Sequence, residues 1–341
     1  MHDLARGRIV VTGGAGLIGS AVIWALNRRG HDDILVVDRL DRSEKWKHLV
    51  PLRFSDYLDA DAFERAVEEG GFPDVRTIFH LGACSSTTET DAQYLLCNNY
   101  EYTKRLAHWS VERGVRFVYA SSAATYGGIE SDLSDEAELT SLRPLNAYAY
   151  SKQLFDLYAH RNGLDEVLCG LKYFNVFGPN EEHKGEMRSI VQKAYEQIRE
   201  CGKVRLFKSH RPDYRDGEQR RDFIYVKDAV EMTLYLAEAG ASGLFNVGSG
   251  IASTWLDLVR PIFHALELPE AIEFVDMPVH LRDKYQYYTC ATVRRLHAAG
   301  YDRPATPLAD AVTDYVVNYL VPQRPLEIAD APVAAPLKAP S

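Results

Sequence analysis

The sequence contains few cysteines, and their arrangement excludes two classes of protein. There are five, and none of them forms a CxxC pair: Cys84, Cys97, Cys169, Cys201 and Cys290. Small secreted proteins that depend on disulfides usually have an even set of cysteines, and structural zinc sites usually have closely paired ones. We therefore expect reduced thiols in a cytoplasmic protein that has neither disulfides nor a metal site.

Long apolar runs and an excess of positive charge are also missing. No stretch of the sequence approaches the roughly 20 apolar residues that cross a membrane. The opening residues, 1–7, lack the apolar segment of an export signal. The chain has 39 basic and 48 acidic residues, a formal net charge of −9, whereas nucleic-acid binding needs basic surface. The sequence therefore predicts neither a membrane span nor a nucleic-acid partner.

Short β-branched runs alternate with amphipathic stretches through the first half of the chain. The predicted strands are 9–11, 34–37, 51–54, 77–80, 117–120 and 167–173. The predicted helices between them are 17–29, 59–69, 91–113 and 148–161. Alternation of this kind is typical of an α/β protein with a doubly wound parallel sheet of the Rossmann type.

The regularity fades in the second half, which predicts a smaller, partly interleaved C-terminal region over the sheet. We predict a dinucleotide-binding domain of residues 1–175 plus about 222–250. A substrate-binding domain is predicted from residues 176–221 plus about 251–321. Residues 322–341 are rich in proline and alanine and are predicted to form a flexible tail.

A glycine-rich turn follows the first predicted strand and opens the first predicted helix. Gly13, Gly16 and Gly19 give the spacing GxxGxxG. Such glycines allow a tight turn, close approach of the backbone to a pyrophosphate, and close packing of helix on strand. The free N–H groups of the helix N-terminus favour phosphate. This pattern predicts a dinucleotide cofactor.

The end of the second predicted strand bears on which dinucleotide binds. Asp38 can accept hydrogen bonds from a ribose 2′-hydroxyl, which favours NAD. Arg39, Arg42 and Lys45 follow closely, and cations of this kind suit a 2′-phosphate. We predict NADP, with NAD as the alternative.

Three residues form a candidate catalytic group at the carboxyl edge of the predicted sheet. Tyr148 and Lys152 are four residues apart on a predicted helix and so project from one face. A neighbouring ammonium is expected to lower the pKa of a tyrosine. Ser122, at the end of the fifth predicted strand, adds a hydroxyl. Together they could bind a substrate hydroxyl and remove its proton during hydride transfer.

With these motifs the sequence resembles the extended short-chain dehydrogenase/reductase family over about residues 8–320. The resemblance rests on TGGAGLIG at 12–19, SSAATYG at 121–127, YAYSK at 148–152 and RDFIYVKD at 221–228. More narrowly, the chain is similar to the epimerases of this family that act on ADP-heptose. The motifs for this are GACSSTTE at 82–89, NNY at 98–100, KYFNVFGPNEEHKG at 172–185, Tyr285-Gln286 and AAGYD at 298–302.

The resemblance implies a role for each matching position. The implied catalytic residues are Ser122, Tyr148, Lys152 and Lys184. The implied cofactor contacts are Gly13, Gly16, Leu17, Ile18, Gly19, Asp38, Arg39, Lys45, Leu81, Gly82, Ala83, Cys84, Ser85, Asn98, Lys152, Val176 and Lys184. The implied substrate contacts are Asn175, Glu186, Lys193, Phe207, Lys208, Ser209, His210, Arg221 and Tyr285. Two of these depart from the family pattern, since Glu186 replaces a small hydroxyl residue and Lys193 replaces a histidine.

The implied reaction is epimerisation at C6″ of ADP-D-glycero-D-manno-heptose, for lipopolysaccharide inner-core biosynthesis. The C6″ alcohol is oxidised to a ketone and reduced on the opposite face, so the tightly bound cofactor is regenerated. Because the two faces place the oxygen differently, two acid/base groups are expected, Tyr148 and Lys184. The family also implies a homo-oligomer, and we expect a homopentamer.

Three other functions are weighed against this one. A 4,6-dehydratase of sugar nucleotides would have Asp-Glu after the catalytic hydroxyl residue, where this chain has Ala123 and Ala124. A UDP-hexose 4-epimerase differs only in the loops that recognise the sugar. A non-catalytic NADP-sensing protein would have no need of an intact Ser122, Tyr148 and Lys152. The last two remain alternatives.

Overall fold

The computed structural model describes residues 1–282 and 285–330. The strands among these residues are β1 (Arg8–Thr12), β2 (Ile34–Asp38), β3 (Asp56–Asp59), β4 (Val75–His80), β5 (Arg116–Ser122), β6 (Leu133–Ser134), β7 (Cys169–Tyr173), β8 (Asn175–Phe177), β9 (Val204–Phe207), β10 (Arg220–Tyr225), β11 (Gly243–Val247), β12 (Ala252–Thr254), β13 (Ile272–Val275) and β14 (Ala291–Thr292).

The α-helices are α1 (Leu17–Arg28), α2 (Trp46–Leu49), α3 (Ala60–Glu68), α4 (Ala92–Leu95), α5 (Tyr102–Glu112), α6 (Ala147–Arg161), α7 (Ile190–Cys201), α8 (Val226–Glu238), α9 (Trp255–Ala265), α10 (Val279–Arg282), α11 (Arg294–Ala298) and α12 (Leu308–Tyr315). Short 3₁₀ turns occur at Ala123–Tyr126, Leu139–Ser141, Leu164–Glu166 and Glu182–Met187, and π-helical turns at Leu96–Glu101 and Val316–Leu320. Within the described part of the chain, no helix combines the length and the apolar character that a membrane crossing requires.

A seven-stranded sheet forms the centre of the molecule, in the order β11-β7-β5-β4-β1-β2-β3. All six pairings in it are parallel. The strand order reverses between β1 and β4, and ligands of such sheets bind beyond the carboxyl ends of the strands at this point. The predicted Rossmann-type doubly wound sheet is confirmed.

Apolar side chains cover both faces of this sheet. On one face α1 and α8 bury residues such as Trp24 and Leu234. On the other face α3, α5 and α6 bury Phe63, Leu106 and Phe155. Burial on both sides explains why the strands read as continuous apolar runs, and it gives the loops at the carboxyl edge a rigid support.

The third strand lies elsewhere than predicted. The sequence indicated 51–54, whereas β3 begins at Asp56 and pairs with β2. As the edge strand of the sheet, β3 is half-exposed and has an aspartate at each end, so its apolar signal is weak. The apolar signal at 51–54 comes instead from Leu52 and Phe54, which pack against the core from a loop.

The smaller region stands over the carboxyl edge of the large sheet and is partly interleaved with it. It contains a three-stranded sheet in the order β12-β10-β8 and the pairs β13-β9 and β14-β6. The chain enters this region directly from β7 and returns to the large sheet through α8 and β11. The exact domain boundaries given above stay a prediction.

The chain after α12 packs against α1 as far as it is described. The side chain of Leu326 is fully buried, and its N–H donates to Asn180 Oδ1 at 3.1 Å. The indole N–H of Trp24 donates to the carbonyl of Glu327 at 2.8 Å. Residues 322–330 of the predicted flexible tail are therefore docked, and residues 331–341 lie outside the described residues.

Candidate active site

A cavity of about 920 Å³ lies at the carboxyl ends of the central strands. One wall is the glycine-rich turn after β1, and the segments after β2, β4 and β5 continue it. The opposite wall comes from the smaller region, between β8 and the start of α7. The cavity is thus at the edge where the sequence predicted the cofactor and the chemistry to meet.

The glycine-rich turn has room for backbone only. Gly13 has a φ of +67°, and a Cβ there would lie 2.6 Å from the backbone nitrogen of Gly82. A Cβ on Gly19 would lie 2.0 Å from the carbonyl oxygen of Gly13. Gly16 precedes α1 without a side-chain cap, so the N–H groups at the start of α1 are available to phosphate. The turn has the geometry that a pyrophosphate cradle requires, and its contact with a cofactor stays a prediction.

The carboxylate of Asp38, at the end of β2, is already occupied by donors. The N–H of Ala15 donates to Oδ2 at 2.8 Å, and the N–H of Arg39 donates to Oδ1 at 2.7 Å. The ammonium of Lys45 donates to the same Oδ1 at 2.7 Å. Asp38 therefore fixes the glycine-rich turn, and the charge of Lys45 balances its own.

Arg39 reaches across the cavity rim to two other elements. Its guanidinium donates to Asn98 Oδ1 and to Asp61 Oδ1, each at 2.5 Å. Asn98 itself does not line the cavity among the described residues, so its cofactor contact stays a prediction. The π-helical turn that carries Asn98 brings it to this position.

Asn99, which follows Asn98 in the π-helical turn, holds the segment after β4 in place through hydrogen bonds. Asn99 accepts from the N–H of Cys84 at 2.9 Å and donates to its carbonyl at 3.0 Å. It also donates to the hydroxyl of Ser151 in α6 at 3.0 Å. Leu81, Gly82, Ala83 and Ser85 line the cavity, whereas Cys84 does not. Cys84 is an anchor point in the structure, and its cofactor contact stays a prediction.

Ser122, Tyr148 and Lys152 line the cavity together. Ser122 ends β5, and the other two lie on α6, which starts where Asn146 accepts from the N–H of Ala149 at 2.8 Å. The ammonium of Lys152 donates to the carbonyl of Ala120 at 2.8 Å. The predicted grouping of these three side chains is what the fold brings about.

The ionisation of this group differs from expectation in one respect. Burial raises the pKa of Tyr148, although the hydrogen bond with Ser122 opposes the rise. Burial lowers the pKa of Lys152 to about 8, opposed by the negative charge of Asp156. The expectation that Lys152 lowers the pKa of Tyr148 is therefore wrong for this arrangement, and the resting tyrosine is a neutral phenol.

A buried ion pair supports these residues from behind. Lys172 donates to Asp156 Oδ2 and to Thr125 Oγ1, each at 2.7 Å. Asp156 also accepts from the hydroxyls of Ser121 at 2.7 Å and Tyr119 at 3.1 Å. Both charged side chains are at most 1% exposed. Because all their partners are satisfied, this network ties α6 rigidly to β5 and β7.

Lys184 lines the cavity from the smaller region, on the 3₁₀ turn Glu182–Met187. Its backbone N–H donates to the carbonyl of Glu181 at 3.0 Å. Burial lowers the pKa of Lys184, and the nearby Glu181 opposes this shift. Tyr148 and Lys184 thus reach one cavity from two different elements.

Some of the implied substrate contacts lie at the cavity and some behind its wall. Asn175 lines it, and next to it Val176, an implied cofactor contact, lines it as well. Arg221 and Tyr285 stand behind Trp255, whose indole N–H donates to the Tyr285 hydroxyl at 2.8 Å. The guanidinium of Arg221 is 5.2 Å from the ring of Tyr285 and 5.8 Å from that of Trp255. A buried cation between two aromatic rings therefore backs this end of the cavity.

The remaining implied contacts stand apart from the cavity wall in the described structure: Glu186, Lys193, Phe207, Lys208, Ser209 and His210. Glu186 and Lys193 bond to each other, with 3.5 Å between the ammonium and the carboxylate. The N–H of His210 donates to the hydroxyl of Tyr287 at 2.9 Å. Lys208 pairs with Asp276 at 3.3 Å. Substrate contact by these six residues stays a prediction.

Comparison with known proteins agrees with this arrangement. The model of the NAD dependent epimerase/dehydratase family matches residues 9–248. This chain belongs to that family.

Several members of the family are similar over nearly their whole length. An ADP-L-glycero-D-manno-heptose-6-epimerase of Nitratidesulfovibrio vulgaris is 52% identical over 319 residues, which cover 93% of this chain and 99% of the relative. The crystal structure of the Helicobacter pylori protein of the same name superposes with a TM-score of 0.78 at 25% identity, covering 93% and 98% of the two chains. A Thermus thermophilus UDP-glucose 4-epimerase in complex with NAD gives a TM-score of 0.72 at 26% identity, covering 91% and 97%.

The structure adds wall residues to this epimerase-family site that sequence reasoning missed. Trp255, Thr289, Met187 and Arg188 line the cavity, and so does Gln286, which the Tyr285-Gln286 motif had marked without giving it a role. Among the missed residues, Trp255 stands beside a recognisable helix-start signal, because Thr254 and Asp257 form a capping box at the start of α9. That signal locates a helix start and says nothing about a ligand, so these residues could be found only from the fold.

Proposed function

We propose that this chain epimerises C6″ of ADP-D-glycero-D-manno-heptose to give ADP-L-glycero-D-manno-heptose. The observation that carries the proposal is the placement of Tyr148 and Lys184 on two walls of one cavity beside a dinucleotide cradle. The names of the similar proteins support this substrate. The placement suits a substrate that must present two faces in turn.

The cofactor we propose is NADP, with one bound tightly to each chain. When bound beside the glycine-rich turn, a nicotinamide dinucleotide would supply the hydride acceptor and donor that the reaction at C6″ requires. The family description and the NAD-bound relative support a nicotinamide dinucleotide. The finer choice of NADP is supported by Arg39 and Lys45 at the rim and by Asp38, whose oxygens already accept three hydrogen bonds and are thus less available to a ribose hydroxyl.

In this proposal Lys184 and Tyr148 each carry out one of the two proton transfers. Burial favours the neutral form of both Tyr148 and Lys184. In this proposal Lys184, acting as its free amine, is the base that takes the proton of the C6″ hydroxyl. The phenol of Tyr148, held by Ser122, is the acid that gives a proton to the ketone oxygen after the sugar has turned. Lys184 takes one proton and Tyr148 gives one, and a proton then returns from the Lys184 ammonium to the Tyr148 phenolate through water, so the substrate and both side chains end in their starting protonation states.

The test follows the C6″ proton of ADP-D-glycero-D-manno-heptose by NMR in the presence of the purified protein. We expect inversion by the unchanged protein and a loss of at least about 10²-fold for Tyr148→Phe and for Lys184→Met. Tyr150→Phe is the matched control, since Tyr150 lies on the same helix and is exposed. Inversion at C4 of a UDP-hexose instead would favour a 4-epimerase, and binding without turnover would favour a sensor.

An analogue with an aldehyde at C6″ separates the two groups. The site can oxidise this aldehyde to the acid and reduce it to the alcohol without inverting C6″. The sugar need not turn between the two steps, so Tyr148 and Lys184 can each be tested in the orientation of the sugar that the group serves. Each single variant should keep measurable dismutation, whereas the double variant should lose nearly all of it. If Lys184→Met inverts the heptose at the unchanged rate, Tyr148 serves both faces and the two-group mechanism is wrong.

We also propose a cytoplasmic homo-oligomer, specifically a homopentamer, that supplies lipopolysaccharide inner-core biosynthesis. The support is the similarity to proteins named for the heptose reaction. Sedimentation equilibrium at micromolar concentration measures the mass of the assembly directly.

A further inference from the structure

His48 ends up buried between the two walls of the cavity. It lies on the short helix α2, and its side chain is fully buried. One ring nitrogen, Nδ1, is 2.7 Å from the carbonyl oxygen of Ala15 in the glycine-rich turn. The other, Nε2, is 2.8 Å from Glu182 Oε1. One side chain thus joins the cofactor wall to the turn that carries Lys184.

The partners of His48 determine its hydrogen-bonding state. A carbonyl and a carboxylate are both acceptors, so both ring nitrogens must donate. Burial would raise the pKa of Glu182, but the hydrogen bond from His48 and its charge hold that pKa below the ordinary value. The contact is therefore a charge-assisted bond, shorter and stronger than a neutral one.

Two titratable side chains, Lys45 and His183, lie near this bond. Lys45, three residues before His48, donates to Asp38. His183 lies with its ring 5.1 Å from that of His48. Its pKa is lowered to about 3, by burial first and then by the charges of His48 and Lys45. His183 is therefore neutral and does not compete with His48 for Glu182.

We call the contacts Ala15–His48–Glu182 the bridge. Each of its two end residues, Ala15 and Glu182, is connected to a group of the proposed site. Ala15 accepts from His48 through its carbonyl, while its N–H donates to Asp38 at 2.8 Å. Glu182 begins the 3₁₀ turn, and Lys184 stands two residues later. A shift of the glycine-rich turn is therefore passed through one rigid ring to the backbone that holds Lys184.

We propose that His48, with Glu182, is a positioning residue that couples the dinucleotide turn to Lys184, an inference that rests on the proposed function. It touches neither the cavity nor the reacting atoms, since it is absent from the cavity wall in the described residues. Its effect on the reaction passes through Lys184.

Two substitutions of His48 each remove one of its two hydrogen bonds and keep the other. His48→Asn keeps a donor near the place of Nδ1, toward Ala15, and loses the bond to Glu182. His48→Gln keeps a donor near the place of Nε2, toward Glu182, and loses the bond to Ala15. Glu182→Gln keeps an acceptor and removes the charge. His160→Gln is the control, because His160, at the far end of α6, forms an exposed histidine–carboxylate pair with Asp165 at 2.7 Å, close to the 2.8 Å between His48 and Glu182.

The first measurement is amide hydrogen exchange of residues 182–187 with and without NADP⁺. In the unchanged protein and in His160→Gln, NADP⁺ should slow exchange in this turn. In His48→Asn and Glu182→Gln, NADP⁺ should still bind, but the slowing of exchange should be lost. This readout does not depend on turnover.

The second measurement is a double-mutant cycle on kcat for the heptose. His48→Asn and Glu182→Gln should each lower kcat by about 10-fold to 10²-fold, because small misplacements of a catalytic group have effects of this size. KM should stay close to its unchanged value. Combined with Lys184→Met, either change should lower kcat by no more than about 2-fold further, since its effect passes through Lys184.

The outcomes separate the two proposals. Wild-type kcat in the bridge variants, or losses that multiply fully with Lys184→Met, would overturn the role of His48. If the unchanged protein leaves ADP-heptose uninverted, the proposed function is wrong, and the exchange experiment alone decides the coupling. If His48→Asn fails to fold, Glu182→Gln carries the test, because the Glu182 side chain is half-exposed and tolerates change.

Discussion

Two buried lysines beside the active site should respond in opposite ways to the same substitution. Lys152 is 6% exposed, and its ammonium has a carbonyl as its hydrogen-bond partner. Lys172 is 1% exposed and bonds directly to the carboxylate of Asp156. We predict that Lys152→Met stabilises the cofactor-free protein at pH 7 and that Lys172→Met destabilises it.

The size of the first effect follows from the pKa of Lys152. Burial lowers that pKa from 10.5 to about 8. At 1.36 kcal/mol per pKa unit, the charged lysine therefore costs about 3 kcal/mol of folding free energy at pH 7. Methionine removes this cost and loses the hydrogen bond to Ala120, worth about 1 kcal/mol. The expected net gain is about 2 kcal/mol.

The pH dependence has a definite sign. Between about pH 8 and pH 10.5 the unfolded chain holds the Lys152 proton and the folded protein has released it. Stability rises with pH wherever the unfolded state binds more protons. The unchanged protein should therefore recover stability through this window, and the advantage of Lys152→Met should disappear near pH 10.

Urea unfolding followed by tryptophan fluorescence at pH 7 and pH 10 measures both effects. Lys172→Met is the matched control and should lose about 3–5 kcal/mol, because it leaves Asp156 buried without its cation. A loss of stability in Lys152→Met equal to that in Lys172→Met would refute the reasoning. So would a difference between Lys152→Met and the unchanged protein that is the same at both pH values.

Three further predictions concern the cofactor and the assembly. Gly13→Ala should abolish NADP⁺ binding measured by calorimetry, because its Cβ would lie 2.6 Å from the backbone nitrogen of Gly82. Gly30→Ala is the control and should bind NADP⁺ normally, because Gly30 also has a positive φ but has open space around it. Arg39→Ala should weaken NADP⁺ binding by about 1.5–3 kcal/mol and leave NAD⁺ binding nearly unchanged; equal affinities of the unchanged protein for NADP⁺ and NAD⁺ would contradict this. In sedimentation equilibrium we expect a pentamer, and a mass of 38.4 kDa, that of one chain, would contradict it.

The parts of the site that sequence could predict are those with short-range patterns. Gly13, Gly16 and Gly19 are spaced by the geometry of one turn, and Tyr148 and Lys152 by the period of one helix. Each pattern lies within a few residues, so it is visible without the fold. The parallel, doubly wound class of the sheet followed from the alternation of strands and helices, whereas the order of its strands comes from the structure.

The contacts that sequence could not predict join distant positions. His48 and Glu182 are 134 positions apart, and His48 and Ala15 are 33 apart. No spacing rule connects such residues, because they meet only when β8 and the following turn pack over the glycine-rich turn. The wrong position predicted for the third strand has a different cause. As an edge strand, β3 is half-exposed and does not need apolar residues, so its sequence lacks the apolar run by which the other strands were predicted.

The two departures from the family pattern bear directly on whether the turn with Lys184 is preserved. Lys193 bonds to the carbonyl and carboxylate of Glu186, whose side chain is 93% exposed. An exposed pair of this kind contributes little stability. The turn is held instead by Glu181, which is fully buried and accepts from the N–H and hydroxyl of Ser189 at 2.6 and 2.5 Å. Since that anchor does not involve Glu186 or Lys193, both can depart from the family pattern while Lys184 keeps its place at the cavity.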